Sequence, residues 1–294
     1  PDHVQVWPAH GAGSACGKNM SKETTDTLGH QKEVNYALNP ALSKEEFIKE
    51  ILTGLTPPPG YFPKNVLMNI QGYESLDTVL ERGHQALSAE AFEAVANETN
   101  ALVLDTRNAT DFAAGFIPNS INIGLDGSFA QWVGEMIPDI KQEILLVCNL
   151  GYEDEAMIRL SRVGYDGTIG YLEGGFESWK KAGKEMDTVK RITAAEFEKM
   201  HENEKQLTID IRKKSEFQSE HILDAVNIPL NEINAHLAGF PKDKPFVLHC
   251  AGGYRSMIAA SILKQRGWDN FTDVIGGFSE IAKTLFVSNG TVHV

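Results

Sequence analysis

Short apolar runs alternate, from residue 87 onward, with longer stretches whose apolar residues recur every three or four positions. The runs "ALVLD" (101–105), "ILLVC" (144–148), "LTID" (207–210) and "FVLHC" (246–250) have the length and continuous hydrophobicity of buried strands. Helical spacing follows in "EAMIRLSRVG" (155–164) and "SMIAASILKQRG" (256–267), each closed by a glycine suited to a helix C-terminus. Strands alternating with helices predict α/β domains, each with a largely parallel sheet flanked by helices.

The pattern occurs twice. "LSAEAF" (87–92) matches "ITAAEF" (192–197), "LVLDTRNATDF" (102–112) matches "LTIDIRKKSEF" (207–217), and "FIPNSINI" (116–123) matches "HILDAVNI" (221–228), all at an offset of about 105 residues. "LLVCNLGYED" (145–154) matches "LHCAGGYRS" (248–256) and "GGFESW" (174–179) matches "GGFSEI" (276–281), at an offset of about 102. Five collinear blocks indicate a duplication with a small deletion. Ser88 and Thr193 are the expected helix N-caps, with Phe92 and Phe197 on the apolar side. The first domain is expected at 87–183 and the second at 190–294; "KKAGKEMDTVKR" (180–191) lacks apolar periodicity and reads as a linker. Residues 1–86 have too little patterned apolar sequence for a core of their own and read as the tail of a larger domain.

Candidate chemistry sits in "VLHCAGGYRS". Cys250 ends an apolar strand and precedes a helix, and the carboxyl edge of a parallel sheet is where ligands bind. Two glycines let several backbone N–H groups turn inward, making an anion nest closed by a helix N-terminus. Arg255 adds a fixed positive charge. Such surroundings should lower the thiol pKa from about 8.5 and favour the thiolate, the form a nucleophile needs. The plainer alternative is a buried core cysteine before an incidental turn.

The loop C-A-G-G-Y-R, together with "IDIR…EF…HI…AVNIPL" and "VIGGFSEI", resembles the rhodanese-type sulfurtransferase family. The likeness covers both repeats. It implies that Cys250 takes a sulfane sulfur from thiosulfate or a low-molecular-weight persulfide, holds it as a persulfide, and passes it to a thiol or sulfite acceptor. By position, Ala251, Gly252, Gly253, Tyr254 and Ser256 would bind the anionic group through their backbone, and Arg255 would attract the donor. Related phosphatases usually carry a loop one residue longer, so a phosphatase on the same scaffold is the less favoured reading. Asp210 and Arg212 fit the family's strand-end D-x-R element as a loop anchor or ion pair. His249 should point away from Cys250 as a packing histidine. The resemblance implies no cofactor for these two domains.

The first repeat keeps Cys148, Gly151 and Tyr152 but has Glu153 in place of the arginine, followed by Asp154 and Glu155. Three carboxylates would disfavour a thiolate and repel an anionic donor. Cys148 is therefore expected to be inert, its domain a scaffold or docking surface, with a rival role as sulfur acceptor from Cys250 or a partner. A non-catalytic binding or regulatory role for both repeats is a further alternative.

"WPAHGAGSACGK" (7–18) resembles the end of a metallo-β-lactamase-fold domain of the persulfide-dioxygenase or glyoxalase-II-like branch. In that family a late histidine lies near the metal, which points to His10 and implies Zn or Fe in an upstream domain. That domain would carry a hydrolase or persulfide dioxygenase activity. One histidine does not make a site, since catalytic metals need about three protein ligands. Cys16, in the same loop, has a functional and an ordinary reading of equal standing.

Bulk numbers narrow the classes. A net charge of −13 over 294 residues argues against binding a nucleic-acid backbone. No apolar run approaches the roughly 18 residues of a membrane span. Cys16, Cys148 and Cys250 are too few and scattered for a disulfide framework, which suggests free thiols in a reducing, cytoplasmic setting. Small anionic sulfur compounds are the expected partners, and a homo-oligomer is compatible with this reading.

Overall fold

The computed structural model describes residues 1–8, 24–53, 61–283 and 287–289. His10 and Cys16 lie outside them. The chain divides into two compact units, Pro1–Pro58 and Pro59–Val294. In the first, strands Gln5–Val6 and Asp26–Thr27 pair antiparallel. Helix Lys44–Leu52 starts at a Ser43/Glu46 capping box. None of this unit's described residues is buried.

The second unit holds two five-stranded parallel sheets. In the first repeat the strands are β1 (Ala86–Leu87), β2 (Leu102–Asp105), β3 (Ile121–Asn122), β4 (Ile144–Val147) and β5 (Thr168–Leu172), in spatial order β1-β5-β4-β2-β3. In the second they are β6 (Arg191–Ile192), β7 (Thr208–Asp210), β8 (Val226–Asn227), β9 (Phe246–His249) and β10 (Phe271–Val274), in the equivalent order β6-β10-β9-β7-β8. β4 and β9 lie at the centre, buried at every position, as their continuous hydrophobicity predicts. Ser88 and Thr193 cap their helices by accepting from Ala91 N and Glu196 N, and Phe92 and Phe197 are fully buried.

Three features depart from the sequence reading. Helices Phe62–Gln71 and Leu76–Gly83 fall in the second unit, so the compact unit that holds both repeats extends upstream of residue 87. Val79 is buried, Lys64 Nζ donates to Pro138 O at 2.7 Å, and Arg82 Nη2 donates to Asp166 O at 2.7 Å. The stretch 180–191 is also no free linker. Phe116 and Asp187 exchange backbone hydrogen bonds, Val189 is buried, Lys264 pairs with Asp187, and Arg191 begins β6. Finally, helix Tyr254–Gln265 is buried nearly all round, from Ser256 to Leu263, where its sequence suggests one apolar face. The first repeat supplies the second cover: Asn122 N donates to Ser261 Oγ at 3.0 Å. A helix packed on all sides loses the polar stripe that marks a surface helix.

Candidate active site

β9 delivers Cys250 to the carboxyl edge of its sheet, 1% exposed. Gly253 adopts φ +101°, a conformation that L side chains resist. The turn brings its N–H onto Cys250 Sγ at 3.1 Å. Ser256 Oγ lies 3.6 Å from the same sulfur and donates to Gly253 O at 3.2 Å. The helix starting at Tyr254 presents its N-terminus to the loop, so the sulfur sits where partial positive charge accumulates.

The "GGF" block holds this loop from outside. Phe278 N donates to Cys250 O at 2.7 Å and Ser279 N to Ala251 O at 2.9 Å. Gly277, at φ +54°, passes so close that a Cβ there would lie 2.4 Å from Cys250 O. Beneath the loop, Arg212 Nε and Nη2 grip the Asp210 carboxylate at 2.7–3.1 Å, and Nη2 also donates to Glu220 O. The guanidinium lies 3.7 Å from the Phe278 ring centroid. The D-x-R element is thus a buried ion pair, repeated in the first domain as Asp105–Arg107 over Phe176. His249 is fully buried; its Nδ1 faces Cys250 O at 3.2 Å and its Nε2 stands 3.8 Å from Asp210 Oδ2. Burial pushes its pKa below the ordinary histidine value, so the ring packs as a neutral group.

Two loop side chains meet partners that the sequence reading does not name. Arg255 does not stand free at the mouth. Nη1 and Nη2 donate to the two Glu216 carboxylate oxygens at 2.7 and 2.8 Å, which raises the arginine's pKa and lowers that of Glu216. The Tyr254 side chain leaves the loop for the first repeat and donates to Gly124 O at 2.7 Å. Its ring fills the space where a Cβ on Gly127 would lie 2.4 Å away, and burial raises its phenol pKa. Backbone groups from Ala251 to Ser256 remain at the loop, while the Tyr254 ring serves the packing between repeats.

At the matching place in the first repeat, Cys148 is 2% exposed and Gly151 turns at φ +84°. The sulfur accepts from Thr106 Oγ1 at 3.3 Å. Burial pushes the thiol up to about 12, opposed by that hydrogen bond, with Glu153 and Asp105 adding smaller upward contributions. The electrostatic expectation has the right sign, but burial is the larger cause. Glu153, Asp154 and Glu155 form the first turn of helix Glu153–Ser161, where carboxylates suit the helix dipole while excluding an anionic guest. A cavity of about 470 Å³ opens beside Cys148, lined among others by Arg107, Asp111, Glu177 and Lys180.

Glu216, Arg191 and Asp273 escaped the sequence reading. Glu216 lay inside the repeated "EF" block, where Asp111 is its counterpart. Arg191 was absorbed into the linker. Asp273 carried a legible signal, being a charged residue inside the strand "FTDV", all of whose positions are buried.

A family model for the Rhodanese-like domain matches residues 88–182 and again 193–284. The chain belongs to the rhodanese-like family and carries two such domains. Among its relatives, the uncharacterized protein YqhL of Bacillus subtilis is 35% identical over 92 residues, 31% of this chain and 71% of that protein. Thiosulfate sulfurtransferase GlpE of Pseudomonas savastanoi pv. phaseolicola is 34% identical over 93 residues, 32% of this chain and 87% of that protein. A solved metallo-beta-lactamase from Staphylococcus aureus is 31% identical, with a TM-score of 0.43, covering 59% of this chain and 46% of that one. Among the described residues no group of three or more His, Cys, Asp or Glu is placed to hold a metal ion, and no helix is long and apolar enough to cross a membrane.

Proposed function

We propose that the second repeat is a sulfurtransferase centre with Cys250 as nucleophile and sulfur carrier. The observation that carries this reading is the six-residue loop itself, with the Gly253 N–H directed at Cys250 Sγ from 3.1 Å. The reading is also supported by likeness to a protein named thiosulfate sulfurtransferase. In the first half-reaction the Cys250 thiolate attacks the outer sulfur of thiosulfate or of a low-molecular-weight persulfide. The donor's S–S bond breaks, sulfite or a thiolate departs with the electron pair, and Cys250 becomes a persulfide. In the second, a thiol or sulfite acceptor attacks the terminal sulfur, and the Cys250 thiolate is released. Negative charge rests at each stage on sulfur facing the Gly253 N–H and the helix N-terminus, which stabilise it before and after transfer. Asp210–Arg212 and the "GGF" turn hold the loop in shape.

In this reading the first repeat is a scaffold, its thiol too buried to ionise at neutral pH. The wider setting we propose is a fusion with a metallo-β-lactamase-fold domain in sulfide or persulfide metabolism, supported by the "WPAHGAGSACGK" resemblance. The described residues hold no group of three or more His, Cys, Asp or Glu placed for Zn or Fe, and His10 lies outside them. Incubation with thiosulfate followed by mass spectrometry tests the assignment. Cys250 should gain one sulfur atom, Cys250→Ser should abolish transfer to cyanide, and Cys148→Ser should leave it intact. Undiminished transfer by Cys250→Ser overturns the reading.

A further inference from the structure

The two repeats share a backbone plan, so the side chains by which they differ around the cysteine point to what the second site needs. Strand register makes the comparison direct: Arg191 pairs with Asp273 between β6 and β10, and Ala86 pairs with Tyr171 at the same place between β1 and β5. The second repeat thus adds a cation and a buried carboxylate where the first has a methyl group and a phenol.

Arg191 is firmly positioned. Its Nε donates to Asp273 Oδ2 at 3.0 Å, and its Nη1 donates to Thr110 Oγ1 of the first repeat at 3.3 Å. Its Nη2 has no hydrogen-bond partner among the described residues. This amino group lies 3.6 Å from where a Cβ on Gly253 would stand, beside the residue whose N–H meets Cys250 Sγ. Arg255 differs, since both its terminal amino groups are spent on Glu216. Asp273 is fully buried, and its Oδ1 lacks a hydrogen bond. The carboxylate's partner through Oδ2 is Arg191, and the Ser256 side chain also acts to stabilise its charge. Burial raises its pKa to about 6, opposed by Ser256 and Arg191, and the 3.0 Å contact is what fixes the guanidinium.

We propose that Arg191 is the donor-binding residue of the Cys250 site, its free Nη2 hydrogen-bonding the anionic oxygen group of the incoming sulfur donor, with Asp273 and Thr110 as positioning residues. This rests on the sulfurtransferase reading for the identity of the donor, but the charge selectivity it assigns is a property of the Cys250 pocket alone. The first repeat, with Ala86, lacks the corresponding cation.

The test compares alkylation of Cys250 by anionic iodoacetate and neutral iodoacetamide in the full chain, by peptide mass spectrometry. Arg191→Gln should lower the iodoacetate-to-iodoacetamide rate ratio about five- to tenfold, the scale of one partly exposed charge at several ångströms. It should also raise KM for thiosulfate more than it lowers kcat. Arg191→Lys, which keeps the charge, should restore most of the ratio. Should Arg191→Gln misfold because Asp273 is left unpaired, the Arg191→Gln/Asp273→Asn double variant removes both charges and should still lower the ratio, by less than the single variant because a repelling carboxylate is lost with the cation. A ratio unchanged in a folded variant overturns the proposal. If Cys250 takes up no sulfur from thiosulfate in the unsubstituted protein, the sulfurtransferase reading fails, and the alkylation ratio still decides the role of Arg191.

Discussion

Burial of the Cys148 thiol sets a measurable limit on its reactivity. Moving its pKa from 9.0 to about 12 cuts the thiolate fraction at pH 7 about a thousandfold relative to an unperturbed thiol. Greater basicity returns part of that loss, because nucleophilicity rises with pKa at a slope of about 0.4–0.5, or roughly twentyfold over this interval. Cys148 should therefore alkylate ~50-fold more slowly than free cysteine, before steric exclusion slows it further. Glu153→Gln separates the two causes of the raised pKa. If burial dominates, removing one carboxylate accelerates alkylation by no more than about threefold, equivalent to half a pKa unit. The assay is iodoacetamide labelling of the native protein at pH 7, with the Cys148 and Cys250 peptides quantified separately. A Cys148 rate within twofold of free cysteine, or a hundredfold gain from Glu153→Gln, would refute the reasoning.

The two "GGF" glycines offer a paired experiment. Gly277→Ala places a side chain at φ +54° and within 2.4 Å of Cys250 O; it should cost at least ~1–2 kcal/mol in urea unfolding and reduce sulfur transfer tenfold or more. Gly175→Ala, at φ +62° against Cys148 O, should lower stability while sparing transfer. Asp273 gives a pH signature: its folded pKa of about 6 exceeds the ordinary 3.8, so the native state holds this proton more tightly than the unfolded chain. Its contribution to stability therefore declines as pH rises from about 4 to 6, by ~3 kcal/mol in all. Asp273→Asn should flatten that part of the stability profile in denaturant titrations at successive pH values.

Much of the architecture is written in local pattern. The central strands are legible because burial on both faces demands an unbroken apolar run, and Ser88 and Thr193 are legible because a cap serves donors within three residues of itself. The duplicated cysteine loops are legible for a similar reason: glycine spacing reports a backbone turn of a few residues, and Gly151 and Gly253 both turn at positive φ. The exchange of Arg255 for Glu153 is likewise visible without coordinates.

Tertiary structure decided what those charges meet. The pairs Arg255–Glu216 and Arg191–Asp273 join residues 39 and 82 positions apart, separations at which no sequence period carries information. Arg191 looks like linker until β6 docks beside β10, and the side-chain partners of Tyr254, Gly124 and Gly127, lie in the other repeat, out of reach of any local pattern. Cys148 is quenched mainly by burial, which depends on how the surrounding elements close over it. Local sequence determined the two loops and their turns, because those follow from backbone sterics over a few residues. The electrostatic and packing environment of each sulfur came from the stacking of distant elements, because charge and burial act through space and not along the chain.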